Sequence, residues 1–380
     1  MNKQWLFVTT GFALFSMFFG SGNLVFPLIV GQESQGHYLL ASFGLILTGV
    51  LVPFLGVLGM VMYKGDIYSF FSSFGKRGTF IFSFLALALM GPFGVLARCL
   101  TVAHGALTLL LPGLSLPIAS VCFCLIIYLL TANKNRIVSL LGTYLTPILL
   151  LSIGAIGIVG LSHTEIPEAA TLTTFSAFNN GFFQGYQTMD LLAAFFFSQF
   201  VIGQLHQRVS QTTEENAMLK VFCKSAVVGA SALSVVYFML VVLGWVYHQL
   251  LVDAAPQEML GIIAMASLGK FAAPCLCMAI VLACLTTAIV LTSLFADFLR
   301  QEVSQEKIGR HLSLGITLAI GFAVSTLDFG GIARFLGPLL ETVYPALITL
   351  TLVNIACKLL SFRTSHWPFT LTIVAKLCAF

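Results

Sequence analysis

Residues 18–27 read FFGSGNLVFP, in which Gly20 and Gly22 flank Ser21, Asn23 follows at once and Pro27 closes the run. The chemistry available here belongs to the backbone. Glycine weakens a helix and proline cannot donate the bond that a continuing helix needs. An interruption frees N–H groups at the start of one half-helix and C=O groups at the end of the other, with opposite partial charges. N–H groups near Ser21, Gly22 and Asn23 suit a carboxylate, and carbonyls around Phe18 suit an ammonium. A second stretch, NNGFFQGYQTMD at 179–190, repeats the pattern with Gly181, Gly185, Tyr186, Thr188 and Asp190. Its glycines would let a ligand approach the backbone closely. For either glycine pair the competing reading is a kink or a close helix crossing through small residues.

Three further groups could carry chemistry. Ala283, Thr286 and Thr287 fall three or four positions apart, so two hydroxyls and backbone carbonyls could surround a hard cation such as Na+ with oxygen. The alternative is that both threonines back-bond to their own helix. Asp190 is costly as an ionised group inside a membrane. Three roles stay open for it: a brace for the break, part of a cation site, or a titrating proton carrier. Arg98 and His104 lie six residues apart and do not share a helix face; a structural hydrogen bond is expected for His104. Asp297, Arg300 and Glu341 are expected near segment ends or in intracellular gate contacts. The seven histidines are scattered, which argues against an intramembrane enzyme, and the nine cysteines read as small buried hydrophobes.

The elements that must hold these groups follow from composition. Of 380 residues, 58% are hydrophobic and 8% charged, and the mean hydropathy is +1.00. These values describe a polytopic membrane protein. Apolar runs cover 5–30, 38–63, 79–111, 116–132, 137–161, 175–205, 219–247, 271–299, 312–327, 332–360 and from 367 onward. Their length predicts an all-α chain of eleven transmembrane segments. With the N-terminus in the cytoplasm, fourteen of the 18 Lys and Arg residues fall on inside connections. The net charge of +4 is then a topology signal and gives no reason to expect nucleic acid. The first interruption lies in segment one and the second in segment six. If segments one to five and six to ten are repeats, the breaks are equivalent and the second repeat is inverted, the arrangement of a transporter site at a repeat interface. The expected units are 1–164, 165–362 and a partial eleventh segment at 363–380.

GFALFSMFFGSGNLVFPLIVG (11–31), NNGFFQGYQTMDLLA (179–193), ACLTTA (283–288) and LGPLLETVYPALITL (336–350) resemble the bacterial branched-chain amino acid carriers of the LIVCS (BrnQ-type) family. The resemblance runs over essentially the whole chain. It implies the LeuT-like architecture of the amino acid, polyamine and organocation superfamily, with five plus five inverted helices and discontinuous helices one and six. It also implies cation-coupled uptake of leucine, isoleucine and valine, with Na+ as coupling ion and no cofactor. Residue by residue, Ser21 and Gly22 N–H would hold the substrate carboxylate and the Phe18 carbonyl its ammonium. Ser16, Phe19, Ala283, Thr286 and Thr287 would hold sodium. The chain departs from the family in segment three, where Ala97-Arg98-Cys99-Leu100 replaces the usual Pro-Arg-Thr-Ala and Gly105 stands in place of an acid. The family usually has twelve segments, and this chain reaches Phe380 inside its eleventh.

The expected protein is therefore a Na+-coupled symporter of leucine, isoleucine and valine, with methionine as a further candidate. It would sit in the bacterial cytoplasmic membrane, with an amino acid, a coupling cation and the lipid bilayer as partners. The expected substrate site comprises Phe18, Ser21, Gly22, Asn23, Gly185, Tyr186, Thr188 and Asp190. A proton-coupled carrier and a non-transporting or truncated amino acid-binding membrane protein are the alternatives.

Overall fold

A computed structural model describes residues 3–34, 36–132, 137–162, 173–209, 215–362 and 367–378. Every apolar run becomes a helix or a pair of helices. Segment one is α1 (Lys3–Phe18) and α2 (Ser21–Glu33), bent by 76° at the break. Segment two is α3 (Tyr38–Ile46), a π-helical turn at Leu47–Leu51, and α4 (Val52–Met62). After the short α5 (Ile67–Phe70), segment three is α6 (Gly75–Met90) and α7 (Val95–Thr108). Then come α8 (Leu116–Ala132), α9 (Ile137–Ser162), α10 (Thr174–Gln187), α11 (Asp190–Val209) and α12 (Glu215–Val246). The short α13 (His248–Leu251) precedes α14 (Met259–Phe298), α15 (Arg310–Ser325), α16 (Asp328–Leu360) and α17 (Trp367–Cys378). No strand occurs among the described residues.

Among the described residues, five stretches are long and apolar enough to cross a membrane unbroken, and the bent α1–α2 pair makes a sixth. The helices α8 and α15 have 17 and 16 residues and so reach about 25 Å, short of the ~30 Å hydrocarbon core. Large apolar side chains such as Leu151 and Ile158 are 75% exposed, the outward-facing apolar surface that lipid requires.

The helices pack reciprocally. In one direction α12, the seventh segment, lies along both halves of broken segment one. In the other, α3 and α4 lie along α10 and α11, the halves of broken segment six. Glycines bring these pairs close. A Cβ built on Gly31 of α2 would sit 2.0 Å from the Val241 carbonyl oxygen of α12, and one on Gly244 would sit 2.2 Å from that of Leu28. The interruption between α6 and α7 also depends on glycine, since a Cβ at Gly94 would sit 2.1 Å from the Leu89 carbonyl oxygen. Outside the membrane, Asp66 caps α5 by accepting from Tyr68 N–H at 3.0 Å. The Ser69 hydroxyl, helped by that cap, holds its carboxyl below the usual aspartate value.

At the segment edges one start gains detail and one expectation changes. The eighth segment crosses as Pro274–Val303, close to the expected start at 271, and the stretch from Met259 is a separate helix joined to it across a kink at Gly269, φ 73°. Glu341 does not join the acids at segment ends. It lines a wide cavity with Glu33, His248 and Arg334, while Asp297 pairs with Arg310 at 3.6 Å and Arg300 with Glu306 at 3.4 Å. A residue thirteen positions into α16 (Asp328–Leu360) is far enough from both helix ends to face a cavity between helices.

Candidate functional site

The two breaks meet. Gly20 is extended (φ −118°, ψ −168°), which turns the chain out of α1, and its N–H donates to Asn23 Oδ1 at 3.2 Å. The Asn23 amide in turn donates to Asp190 Oδ2 at 2.7 Å and to the Tyr237 hydroxyl. Tyr237 donates to the same Asp190 oxygen at 3.2 Å. One asparagine thus closes the first turn of α2, holds the first residue of α11 and reaches α12. Asn23 and Asp190 are 2% and 4% exposed, so each lost partner would leave a polar group stranded in a low-dielectric interior. The geometry fits the reading of Asp190 as a brace across the breaks.

The second break is tight. Met189 adopts φ +60°, a left-handed conformation that costs a non-glycine residue energy and persists where surrounding structure imposes it. Its N–H reaches the Tyr186 carbonyl at 3.1 Å and the Thr188 hydroxyl the Gly185 carbonyl at 2.9 Å.

Between the breaks lies a cavity of about 40 Å³ lined by residues that include Phe18, Gly20, Gly22, Asn23, Thr188 and Asp190. Thr287 and Arg98 line it as well. Five of the eight expected substrate residues therefore converge here. Ser21, Gly185 and Tyr186 do not line it. The Ser21 hydroxyl accepts from Cys99 Sγ at 3.4 Å, and Tyr186 packs on Tyr344 with centroids 5.0 Å apart. Gly185 serves a helix crossing, because a Cβ there would sit 1.9 Å from Thr48 Oγ1 in the π-helical turn. At this position the small-residue crossing, and not ligand approach, accounts for the glycine.

Of the expected sodium ligands, Thr287 touches the first break, with its Cγ2 3.8 Å from a Cβ built on Gly20. Thr286 and Thr287 both donate to the Ala283 carbonyl, at 2.9 and 3.0 Å. Back-bonding therefore occurs, yet it uses only the hydroxyl protons and leaves oxygen lone pairs for a cation. Ser16 lies half-buried in the last turn of α1, and Phe19 sits in the break, its ring stacked on Phe15 at 4.9 Å. Of the five residues expected to hold sodium, Thr287 lines the cavity between the breaks, and Ala283 and Thr286 join it through the shared Ala283 carbonyl.

Three residues at the site lie outside the expected substrate and sodium sets, and of these the sequence marks only Arg98, as an intramembrane charge without an assigned role. Tyr237 is a lone hydroxyl in the apolar run VVYFMLVVL, and that isolation was its available signal. Arg98 is 1% exposed and donates from Nη1 to the Gln187 carbonyl at 2.6 Å and from Nη2 to Gln187 Oε1 at 2.7 Å. Gln187, the third, ends α10 and so presents a carbonyl of the negative helix end to the guanidinium. Two rings, Phe26 and Phe329, lie 4.9 and 5.5 Å from the Arg98 guanidinium carbon. They also line a second cavity, of about 820 Å³, with Gln187 and the acids Glu33 and Glu341. His104 takes a structural role, with Nε2 2.8 Å from the Leu114 carbonyl oxygen.

Residues 3–380 match the family described as "Branched-chain amino acid transport protein". A branched-chain amino acid carrier protein named in Staphylococcus saprophyticus is 29% identical, over 99% of this chain and 87% of its own length. One from Staphylococcus aureus is 26% identical, over 100% and 88%. Among solved structures, the inward-facing conformation of Mhp1 superposes with a TM-score of 0.68 at 14% identity, covering 92% of this chain and 76% of that one. A Na+-coupled sialic acid symporter gives 0.58 at 14% identity, covering 92% and 78%. These two likenesses show the fold, an all-helical LeuT-like bundle with interrupted first and sixth segments. The chain belongs to the branched-chain amino acid transport protein family, a family of multi-pass membrane transporters and not of enzymes.

Proposed function

We propose that this protein is a secondary active symporter that imports leucine, isoleucine and valine, with methionine as a further substrate, coupled to Na+ by alternating access. It would act in the bacterial cytoplasmic membrane with its N-terminus inside, the side that gathers fourteen basic residues. The observation that carries the reading is the cavity shared by both broken helices, with Gly20 and Gly22 backbone on one wall and Thr188 and Asp190 on the other. Such a site offers N–H groups to a carboxylate and carbonyls to an ammonium, while Phe18, Met17 and Phe197 supply apolar wall for a branched side chain. Its volume of about 40 Å³ holds about three water molecules, less than an amino acid. Loading therefore requires the helices around it to part, as alternating access demands. Sodium coupling is supported by Thr287 beside the first break, whose hydroxyl shares the Ala283 carbonyl with that of Thr286, and one structural neighbour is itself Na+-coupled.

The test is uptake of labelled leucine into proteoliposomes under an imposed Na+ gradient, repeated for Thr287→Ala. Changes even to outer partners of a metal site lower affinity roughly 10–100-fold, so loss of a direct ligand should raise the half-saturating Na+ concentration by about tenfold or more. Unchanged sodium dependence in the variant removes the proposed cation site. Uptake that follows a pH gradient and ignores Na+ replaces the proposal with proton coupling.

A further inference from the structure

Arg98 is a buried cation with no anion in direct contact among the described residues. At 1% exposure its charge is costly unless paired, yet no carboxylate among those residues forms a salt bridge with it, unlike Arg300 with Glu306 and Arg310 with Asp297. Its partners are the carbonyl and side-chain oxygen of Gln187, both neutral. A guanidinium has five N–H donors; two are engaged there, and the buried Nε has no partner.

The surroundings fix where an anion could approach. The guanidinium carbon lies 4.9 and 5.5 Å from the Phe26 and Phe329 ring centroids, which are themselves 5.3 Å apart. A nearly equilateral triangle places both rings on the same side of the cation. Rings on opposite faces would stand about 10 Å from each other, the sum of the two separations. The rings also line the wide cavity, so they cap Arg98 on that side. The narrow cavity, which Arg98 lines together with Gly20, Gly22 and Asn23, is the space the guanidinium shares with the first turn of α2, where the Phe26 ring also packs near Gly22. The cation therefore shares a wall with the N-terminus of α2, where backbone N–H groups already favour negative charge. Across the same cavity sits Asp190, so the space is flanked by a positive and a negative side chain.

Building on the amino acid reading of this cavity, we infer that Arg98 provides the countercharge for the substrate carboxylate. Gln187 and the two rings hold the guanidinium so that its remaining N–H groups meet the carboxylate in their plane, beside the first turn of α2. Recognition then falls on α-amino acids as zwitterions, and a neutral amide in place of the carboxylate is rejected. The same contact ties ligand arrival to the end of α10, because Gln187 and the substrate hold one side chain between them.

Equilibrium binding of labelled leucine to the purified full-length protein in lipid nanodiscs, with competition by leucine or leucinamide, tests this. The pH is chosen so that both ligands carry the ammonium. The unsubstituted protein should prefer leucine on the order of 100-fold, as expected when one partner of a buried charged pair is lost. Arg98→Gln should cut that preference to a few-fold by weakening leucine alone. Arg98→Lys, which keeps the charge without the planar fork, should retain roughly a tenfold preference, and it decides the matter if Arg98→Gln does not fold. A preference that persists in full in the folded variants, or equal weakening of both ligands, overturns the assignment. An unsubstituted protein that prefers leucine no more than leucinamide also overturns it while leaving amino acid transport standing. Failure to bind leucine at all overturns the transport proposal and this inference together.

Discussion

Asn23→Ala is expected to lower leucine uptake in vesicles by about 100-fold or more and to destabilise the protein. Asn23 accepts from Gly20 N–H and donates to both Asp190 and Tyr237. Truncation to a methyl group removes all three bonds at a position that is only 2% exposed. Each stranded buried group costs roughly 1–3 kcal/mol, and the carboxylate more. Part of the loss falls on stability and part on the alignment of the two half-helices that shape the cavity. Asn23→Asp should be at least as damaging, because it sets a second carboxylate against Asp190. Tyr237→Phe removes a single hydroxyl from the cluster and should be the mildest of the three. Uptake by Asn23→Ala above about a tenth of the unsubstituted rate would show that the breaks do not depend on this bridge.

Much of this arrangement is legible in the sequence, and the limits have physical causes. Apolar run length fixed the helices because hydrocarbon tolerates no unpaired backbone, and every run is occupied. Both breaks stand where Gly and Pro depart from an apolar background, a local signal. The partners of those breaks are not local. Asn23 and Tyr237 are 214 residues apart and Arg98 and Gln187 are 89 apart, and in neither case does the intervening chain mark the pairing. The glycines of the second break are ambiguous for another reason. A ligand and a neighbouring helix both need the absence of Cβ, and only the packing at Thr48 tells them apart. Glu341 was misplaced because an acid within a long helix reads as lying near an end unless a cavity between helices is known to receive it.

That ambiguity yields the second large effect. Gly181→Ala and Gly185→Ala should each destabilise the folded carrier by about 1–3 kcal/mol or more, the range for overpacking a close contact. A Cβ at Gly181 would stand 1.9 Å from the Ala41 carbonyl oxygen, a backbone atom that cannot swing aside. One at Gly185 would stand 1.9 Å from Thr48 Oγ1, whose hydroxyl is held by the Phe182 and Gly44 carbonyls at 2.8 and 3.2 Å. From the other side, a Cβ at Gly44 would stand 2.4 Å from the Phe178 carbonyl oxygen, so α3 and α10 touch through glycine from both directions. Relief requires the helices to move apart, and Gly49 links that motion to the site, because a Cβ there would lie 3.1 Å from the Tyr237 ring and 3.8 Å from Thr188 Cγ2. Gly154→Ala in α9 and Gly315→Ala in α15 are the matched controls. Nothing lies within 4 Å of a Cβ at either position, and a helical alanine gains roughly 0.5–1 kcal/mol over glycine. Thermal unfolding in detergent should therefore fall for the first pair and hold or rise for the second. If Gly185→Ala melts with the controls but loses leucine binding, the glycine serves the ligand after all, and the crossing at Thr48 is incidental.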